Sequence, residues 1–308
     1  MRALVIGLGS IARKHIAALR KINPEVEIAA LRSSRNSLSE EHVMDLFSIE
    51  EAKDFAPDFA IISTPTSTHK ESIRTALQLQ VPLFIEKPLI HTLDDLSIVS
   101  EIETSGLLHY VACNLRFLDC LDFIKKATET RGIRINEVNC YCGSWLPGWR
   151  PGTDFRNIYS ARPEMGGGVH IDLIHEIDYI YWIFGLPSAA TGILRSNSSL
   201  GIDAIDYANY CLSYSNFCAS VILNYYRRDY KRTLEIVWED ETWLVDLQKN
   251  RISCADHVMF ESQRSILDTY EAQLKYFIDL IKSNASHSFN EVSDAVNTLR
   301  IALSPFSR

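Results

Sequence analysis

Hydrophobic and polar positions in the first part of the chain follow two alternating patterns. Short, largely apolar runs predict buried strands at Ala3–Ile6, Val26–Leu31, Phe59–Ser63, Leu83–Ile85 and His109–Cys113. Between them, apolar residues three or four positions apart predict helices at Ile11–Ile22, Ser67–Leu79 and Leu93–Glu103. Alternating strands and helices are typical of βαβ units. We therefore expect an α/β protein whose first domain, residues 1–116, is a Rossmann dinucleotide-binding domain with a doubly wound parallel sheet.

The pattern changes near residue 116. After a predicted helix near Leu118–Thr130, longer runs alternate apolar and polar residues, as strands with one buried face do. These runs are Glu137–Trp145, Tyr207–Tyr214, Ala219–Tyr226, Thr233–Glu239 and Glu241–Leu247, and helices are expected after Gly168, near Ser262–Ser283 and near Glu291–Leu303. The spacing predicts a second, α+β domain over residues 117–308 with a mainly antiparallel sheet.

Composition narrows the class of protein. The 308 residues are 46% hydrophobic and 23% charged, as is usual for a globular protein. The net charge of −8 argues against a nucleic-acid or anionic-membrane surface, and no apolar run is long enough to span a bilayer. The seven cysteines form no CxxC pair, and the start MRALVIGLG lacks the features of a signal peptide. We therefore expect reduced thiols and a cytoplasmic location.

The loop GLGSIARKH, residues 7–15, follows the first strand and opens the first helix. Gly7 permits a tight turn, and Gly9 lets the backbone approach a pyrophosphate at the helix N-terminus. The third position of the motif needs only a small residue, and Ala12 meets that need. The loop therefore predicts dinucleotide binding, and the alternative is a plain turn between strand and helix.

The end of the second predicted strand carries the sequence Arg32-Ser33-Ser34-Arg35. An acid at this place would bind the ribose 2′-hydroxyl of NAD(H), but this stretch contains none. Two guanidinium groups and two hydroxyls suit a 2′-phosphate instead, because arginine pairs with phosphate through two hydrogen bonds. The residues favour NADP(H) over NAD(H), and the alternative is a solvated loop.

Two further segments carry candidate chemistry. Glu86-Lys87-Pro88 directly follows the strand Leu83–Ile85, where ligands bind in open α/β sheets, so Lys87 is a candidate for proton exchange with a hydroxyl or carbonyl group. Taken alone, Lys87 is better interpreted as a surface lysine than as a proton-transfer group. In GGGVHIDLIHEIDY, residues 166–179, Asp172 and His175 are spaced to share one helix face, which Asp178 continues. A carboxylate beside an imidazole suits a proton relay. One alternative is a structural pair. Another is a metal site, although the spacing of the histidines and the aspartate matches no metal motif.

Together these segments resemble the Gfo/Idh/MocA oxidoreductases, named for glucose–fructose oxidoreductase and inositol dehydrogenase. The matching pieces are GLGSIARKH (7–15), STPTSTH (63–69), EKP (86–88), NLRF (114–117) and GGGVHIDLIHEIDY (166–179). They occur in the order of the family, and the resemblance covers essentially the whole chain. The resemblance implies a Rossmann domain, then a domain with a large open sheet that often mediates oligomerisation, and hydride transfer between a nicotinamide cofactor and a sugar, cyclitol or nucleotide-sugar.

Residue roles carry over from the matching motifs. Lys87 matches the lysine that acts on the reacting hydroxyl, and Asp172 and His175 match the aspartate and histidine of the inner helix. With the residues already named, the implied cofactor-binding set is Gly7, Gly9, Ser10, Ile11, Ala12, Arg32, Ser33, Ser34, Arg35, Thr64, Pro65, His69, Glu86, Lys87 and Asn114. The common pattern D-x-G-x-H places the histidine four residues after the aspartate, whereas here it comes three residues after. The role of His175 is therefore carried over less directly than that of Lys87.

The long loop over residues 144–168 is rich in Trp, Arg, Asp and Tyr and is similar to that of a subgroup linked to surface-glycan and sialic-acid-type sugars. Aromatic rings stack on sugar faces, and Arg150, Arg156 and Arg162 suit a carboxylate or phosphate. The predicted substrate-binding set is Lys87, Arg116, Trp149, Arg150, Asp154, Tyr159, Arg162, Asp172 and His175. The alternative is a packed loop with its arginines in solvent.

We therefore expect an NAD(P)-dependent dehydrogenase or reductase that acts on a hydroxyl or keto carbon of a carbohydrate-like molecule. Lys87, Asp172 and His175 form the predicted proton-transfer group, and no metal is expected. The resemblance implies a homo-oligomer, either a dimer or a tetramer, and the net charge predicts no nucleic-acid or membrane partner. Two alternatives are a lyase or hydrolase that uses the nicotinamide transiently, and a non-catalytic NADP(H)-binding sensor. A zinc enzyme is a more distant alternative.

Overall fold

The computed structural model describes residues 1–35 and 38–305. The chain divides into two compact units. The first contains Met1–Cys113 and Tyr270–Val296, and the second contains Asn114–Thr269 and Asn297–Arg308. The division into residues 1–116 and 117–308 remains a prediction.

The first unit contains a six-stranded parallel sheet. Its strands are β1 (Arg2–Ile6), β2 (Glu27–Leu31), β3 (Met44–Leu46), β4 (Phe59–Ile62), β5 (Leu83–Ile85) and β6 (His109–Val111). Their order is β3-β2-β1-β4-β5-β6, which is the doubly wound order of dinucleotide-binding domains. The chain reverses its direction of winding between β1 and β4, and ligands bind beyond the carboxyl ends of the strands at such a reversal.

The second unit contains an eight-stranded sheet. Its strands are β7 (Ile135–Trp145), β8 (Ala189–Arg195), β9 (Tyr207–Ser213), β10 (Cys218–Asn224), β11 (Tyr226–Trp238), β12 (Thr242–Asp246), β13 (Arg251–Cys254) and β14 (His257–Glu261). The order is β14-β13-β12-β11-β7-β10-β9-β8, and all neighbours are antiparallel except β7 and β10. Buried and partly exposed residues alternate along β7 and β11, so one face of the sheet is buried. The predicted fold class is confirmed.

The helices, in chain order, are α1 (Ser10–Ile22), α2 (Ile49–Phe55), α3 (His69–Leu77), α4 (Ser97–Ser105), α5 (Asp119–Thr130), α6 (Val169–Asp172), α7 (His175–Phe184), α8 (Asp268–Lys282) and α9 (Val292–Leu303). The sequence pattern of α1 explains its packing, because Ala12, Ile16 and Leu19 recur at helical spacing and are buried. In the second unit, α7 packs against α5 and β7 on the buried face of the sheet.

Some elements differ from the prediction. The helix predicted from Ser262 begins only at Asp268, and β11 begins at Tyr226, well before Thr233. The elements β3, α2, β8, β13 and β14 were not predicted. The strand β3 has three residues, and the edge strands β8 and β14 bury few side chains, so the alternation that identifies a strand is weak there.

Candidate functional site

The opening loop has the geometry of an anion site. Gly7 has φ +89°, and a Cβ atom there would lie 2.7 Å from Cγ2 of Thr64, so only glycine fits. A Cβ atom on Gly9 would contact no atom among the described residues, and no side chain in that part of the chain caps the N-terminus of α1. Ala12 is fully buried against the sheet. The first N–H groups of α1 therefore suit a pyrophosphate, as predicted for this loop.

A cleft of about 270 Å³ lies beside this loop in the first unit. Its lining residues are Gly7, Leu8, Arg13, Leu31, Arg32, Ser33 and Leu38. They come from the loop after β1, from the first turn of α1, from the end of β2 and from the segment that follows β2. This is the place where a doubly wound sheet holds the adenosine half of a dinucleotide, so the residues present fit such a group.

The predicted 2′-phosphate segment is organised by a carboxylate that the sequence analysis did not identify. Nη1 of Arg32 lies 2.5 Å from Oδ1 of Asp45 in β3, and Nη2 donates to the backbone carbonyl of Leu38 at 3.0 Å. The hydroxyl of Ser39 and the guanidinium of Arg32 hold the pKa of Asp45 below its usual value. Arg35 instead lies over the ring of Phe47, 4.3 Å from its centroid.

The segment that carries Lys87 is anchored by a buried pair. Nε2 of His15 in α1 lies 2.5 Å from Oε1 of Glu86, and Oε2 of Glu86 accepts a hydrogen bond from the backbone N–H of Lys87. Burial disfavours the charge on Glu86, but the hydrogen bond with His15 and the charge of Lys87 outweigh it, and the pKa of Glu86 is lowered. An ionised Glu86, held by His15, therefore anchors the backbone at Lys87.

A second buried histidine joins the loops that follow β4 and β5. Nδ1 of His69 lies 2.9 Å from the carbonyl oxygen of Pro88 and 3.2 Å from that of Leu89, and Nε2 lies 2.9 Å from that of Thr64. Carbonyl oxygens only accept, so a neutral ring donates from one of its two nitrogens, and only an imidazolium ion donates from both. Burial lowers the pKa of His69, while the carbonyls and Glu86 act in the opposite direction. His69 is thus placed to position the two loops.

In the second unit, the predicted single helix over Asp172 and His175 is wrong. Asp172 ends α6 and His175 begins α7, with Leu173 and Ile174 forming a turn between them. The i,i+3 bonds from Ile174 to Ile171 and from Glu176 to Leu173 tighten the backbone there. The shared helix face inferred from their spacing is therefore not continuous.

Two tyrosine hydroxyls hold Asp172. Tyr159 donates to Oδ1 at 2.8 Å, and Tyr225 donates to Oδ2. Burial and the charge of Asp172 raise the pKa of both phenols, so both stay protonated donors. Gly167 permits this arrangement, because a Cβ atom there would lie 2.1 Å from the carbonyl oxygen of Tyr159.

The neighbouring His170 is buried beside Gly168. Burial lowers the pKa of His170 to about 4, although the charge of Asp172 opposes this shift. His170 is therefore neutral at neutral pH. His175 is partly buried at the start of α7.

Two of the predicted ligand-binding residues, Arg116 and Asn114, bond to other side chains of the second unit. Arg116 makes two hydrogen bonds to Asp178, of 2.9 and 2.7 Å, and both side chains are buried. Asn114 donates to Oγ1 of Thr269 at 2.7 Å. A buried ion pair of this kind fixes the segment before α5 against α7. The predicted roles of Arg116 toward substrate and of Asn114 toward cofactor remain predictions.

The loop over residues 144–168 places aromatic groups near Asp172. The ring of Trp149 meets Tyr225 edge to face at 5.4 Å, and its Nε1 donates to Ser144. Arg150 lies over the ring of Tyr159, 5.8 Å from its centroid. The remaining candidates make local contacts.

Asp154 accepts from the backbone of Arg156 at 3.1 Å and lies 3.6 Å from its guanidinium. Arg162 donates to Asn157 at 3.1 Å and lies 4.0 Å from Glu164.

Within residues 1–35 and 38–305, no group of three or more His, Cys, Asp or Glu side chains is arranged to hold a metal ion. Over the same residues, no helix has the length and apolar character that crossing a membrane requires.

Three functional candidates were missed by the sequence analysis, namely Tyr225, His15 and Asp45. His15 lies inside the motif GLGSIARKH, and its helical spacing from Ala12 would have indicated that it faces the sheet. Asp45 belongs to the strand that was not predicted. Tyr225 pairs with a residue 53 positions away in the chain, and no local pattern signals that contact.

The fold and the loop define a dinucleotide-binding protein of two α/β units. Residues 1–108 match the Gfo/Idh/MocA family, described as an oxidoreductase family with an NAD-binding Rossmann fold. A myo-inositol 2-dehydrogenase of Thermotoga maritima is 25% identical over 311 residues, covering 92% of this chain and 89% of the relative. The family match over residues 1–108 and the relatives of similar length support an oxidoreductase of the Gfo/Idh/MocA type.

Two solved structures share the fold over the same length. The UDP-N-acetylglucosamine 3-dehydrogenase of Acidithiobacillus ferrooxidans has a TM-score of 0.78 at 20% identity, covering 98% of this chain and 95% of that structure. A levoglucosan dehydrogenase in complex with NADH has a TM-score of 0.83 at 16% identity, covering 98% and 94%. Both comparisons extend the likeness of fold to nearly the whole chain.

Proposed function

We propose that the protein transfers a hydride between NADP(H) and a hydroxyl or keto carbon of a carbohydrate-like substrate. The observation that carries this proposal is a shared sheet edge in the first unit. The pyrophosphate loop at Gly7 and Gly9 follows β1, and Lys87 follows β5, so both lie beyond the carboxyl ends of strands of one parallel sheet. When bound, the nicotinamide would supply the hydride acceptor or donor.

The roles of the chain's own residues follow from their surroundings. Lys87 takes or returns the hydroxyl proton, and the anchored Glu86 keeps the backbone of Lys87 in place. Asp172 is a carboxylate whose two oxygens each accept a tyrosine hydroxyl, so its role is to orient and polarise. We assign His175 to the same proton transfer because it matches the histidine of the motif that resembles the family.

The cofactor preference rests on the segment after β2. Arg35, Ser33 and Ser34 are exposed there and offer a guanidinium and two hydroxyls to a 2′-phosphate. NADP(H) is therefore favoured, and NAD(H) is the alternative, since the related levoglucosan dehydrogenase was solved with NADH.

The substrate class follows from the relatives and from the second unit. The relatives act on myo-inositol, levoglucosan and a nucleotide-sugar, all rich in hydroxyl groups. Trp149 and Tyr159 beside Asp172 offer aromatic surface next to a hydrogen-bond acceptor, as sugar binding requires. We therefore propose a sugar, cyclitol or nucleotide-sugar.

The assembly state and location are also part of the proposal. Ile193 and Leu244 are about half exposed, at 54% and 50%, on the open face of the eight-stranded sheet. Apolar residues on such a face favour association of copies into a dimer or tetramer. All seven cysteines are free thiols, which supports a cytoplasmic location, where thiols stay reduced.

The test combines a binding titration with a substrate screen. The purified protein is titrated with NADP⁺, NADPH, NAD⁺ and NADH and then assayed with sugars, cyclitols and nucleotide-sugars in both directions. Net reduction or oxidation of the nicotinamide with one substrate class supports the proposal. Binding without turnover on any substrate would indicate a sensor, and product formation without net change of the nicotinamide would indicate a lyase or hydrolase.

A further inference from the structure

Arg32 and Asp45 form a shielded ion pair at the cleft beside the opening loop. The Arg32 side chain is 8% exposed and the Asp45 side chain is 17% exposed. Both terminal nitrogens of Arg32 have acceptors, namely Asp45 and the carbonyl of Leu38. Both oxygens of Asp45 have donors, namely Arg32 and Ser39. The pair is therefore fully formed without any ligand.

This pairing changes what Arg32 offers an anion. A phosphate that bound the same guanidinium would lie within a few ångströms of the Asp45 carboxylate, and like charges at that separation repel strongly when solvent is partly excluded. The hydrogen bonds to Asp45 and Leu38 would also have to be shared or broken. By contrast, Arg35 is exposed over Phe47.

We propose that Asp45 is a specificity-determining residue that limits the affinity of this protein for a 2′-phosphate by keeping Arg32 in an ion pair. The proposal rests on the proposed dinucleotide binding. It means that Arg35 and the two serines read the 2′-phosphate, while Arg32 contributes little. Asp45 of β3 thus offsets the charge of Arg32, and the protein accepts NAD(H) more readily than its arginines alone would suggest.

The alternative is that Asp45 strengthens 2′-phosphate binding instead of limiting it. If Asp45 served to aim Arg32 at a phosphate, removing its charge would weaken NADP⁺ binding. The two cases differ in sign, so one pair of titrations separates them.

The experiment measures dissociation constants for NADP⁺ and NAD⁺ by calorimetry at one fixed ionic strength, because phosphate binding depends on salt. The variants are Asp45→Asn, Arg32→Ala and the double variant. Asp58→Asn is the matched control, since Asp58 lies in the same unit, bonds to the backbone of Arg2 and gives the same change of charge. The ratio of the two constants in one sample does not depend on the fraction of folded protein.

We expect Asp45→Asn to tighten NADP⁺ binding about tenfold relative to NAD⁺, the scale of one charge-assisted hydrogen bond. The double variant should lose that gain, and Arg32→Ala alone should change the ratio less than about twofold. Weaker NADP⁺ binding, or an unchanged ratio, in Asp45→Asn would overturn the proposal. If the wild-type protein binds neither dinucleotide, the proposed function itself fails, which is a separate result.

Discussion

The hydroxyl of Tyr159 donates a 2.8 Å hydrogen bond to Oδ1 of Asp172, across the turn that the three glycines at 166–168 permit. Tyr225 occupies the other oxygen of the same carboxylate. Asp172 is thereby held as an acceptor with a fixed direction, which is the property that a residue orienting a substrate or a proton-transfer group requires.

Removing the Tyr225 hydroxyl tests this arrangement. Tyr225→Phe removes a hydroxyl that donates to Asp172, so we expect the free energy of unfolding to fall by about 2 kcal/mol and kcat to fall about tenfold. Denaturant titration and steady-state kinetics measure the two effects. Tyr210→Phe is the control, because Tyr210 is equally buried but donates to the carbonyl of Ala302. Equal losses of kcat in both variants would exclude a specific role for Tyr225.

Gly7 and Gly9 of the opening loop have different structural roles. Gly7→Ala requires a positive φ and places Cβ against Thr64, so we expect it to lower the free energy of unfolding by about 1–3 kcal/mol. Gly9→Ala meets no described protein atom, so its unfolding free energy should change by less than about 1 kcal/mol while dinucleotide affinity falls. Thermal unfolding and calorimetric titration separate the two. Unchanged dinucleotide affinity in Gly9→Ala would show that the loop does not cradle a pyrophosphate.

Glu86 is expected to act through the backbone of Lys87. Glu86→Gln removes the charge that pairs with His15 but keeps the shape, so kcat should fall while the dissociation constant of the cofactor changes little. Glu101→Gln, which alters an exposed pair with Arg74, should change neither value. The kinetic constants and a binding titration check both. A fall of cofactor affinity with unchanged kcat would place Glu86 in cofactor binding instead.

The buried histidines predict how stability depends on pH. The pKa of His170 is lowered from 6.5 to about 4, so the unfolded chain binds a proton more readily than the folded chain between these values. The stabilising contribution is therefore complete above pH 6.5 and is lost as the pH falls toward 4. For His170 the loss amounts to at most about 3 kcal/mol. His69 acts in the same direction.

Unfolding free energies of the wild type and His170→Gln across this range measure the effect. The variant should show a smaller slope, and the exposed His257→Gln should match the wild type. Parallel curves for wild type and His170→Gln would contradict the assignment.

How much of this structure the sequence predicts depends on how far apart in the chain the contacting residues lie. The strands β1, β2, β4, β5 and β6 of the first sheet and the Gly7–Ala12 loop were predictable, because periodicity and glycine positions are local. The turn between Asp172 and His175 was not, since spacing alone does not reveal a tightened backbone. Asp45 remained hidden because β3 is only three residues long. The bond from Tyr225 to Asp172 depends on tertiary packing, because Tyr225 follows β10 and α6, which ends at Asp172, packs against β9 and β10.

The most direct test of the central claim is hydride transfer by the Lys87→Met variant with the best substrate of the screen. Methionine keeps the length of the side chain and removes the amine. Absorbance of the reduced nicotinamide gives the rate, and a titration gives cofactor affinity. We expect turnover to fall at least about a hundredfold, as loss of a general acid–base group does, with cofactor affinity nearly unchanged. A variant that keeps the wild-type rate would contradict the assignment of Lys87 and the mechanism built on it.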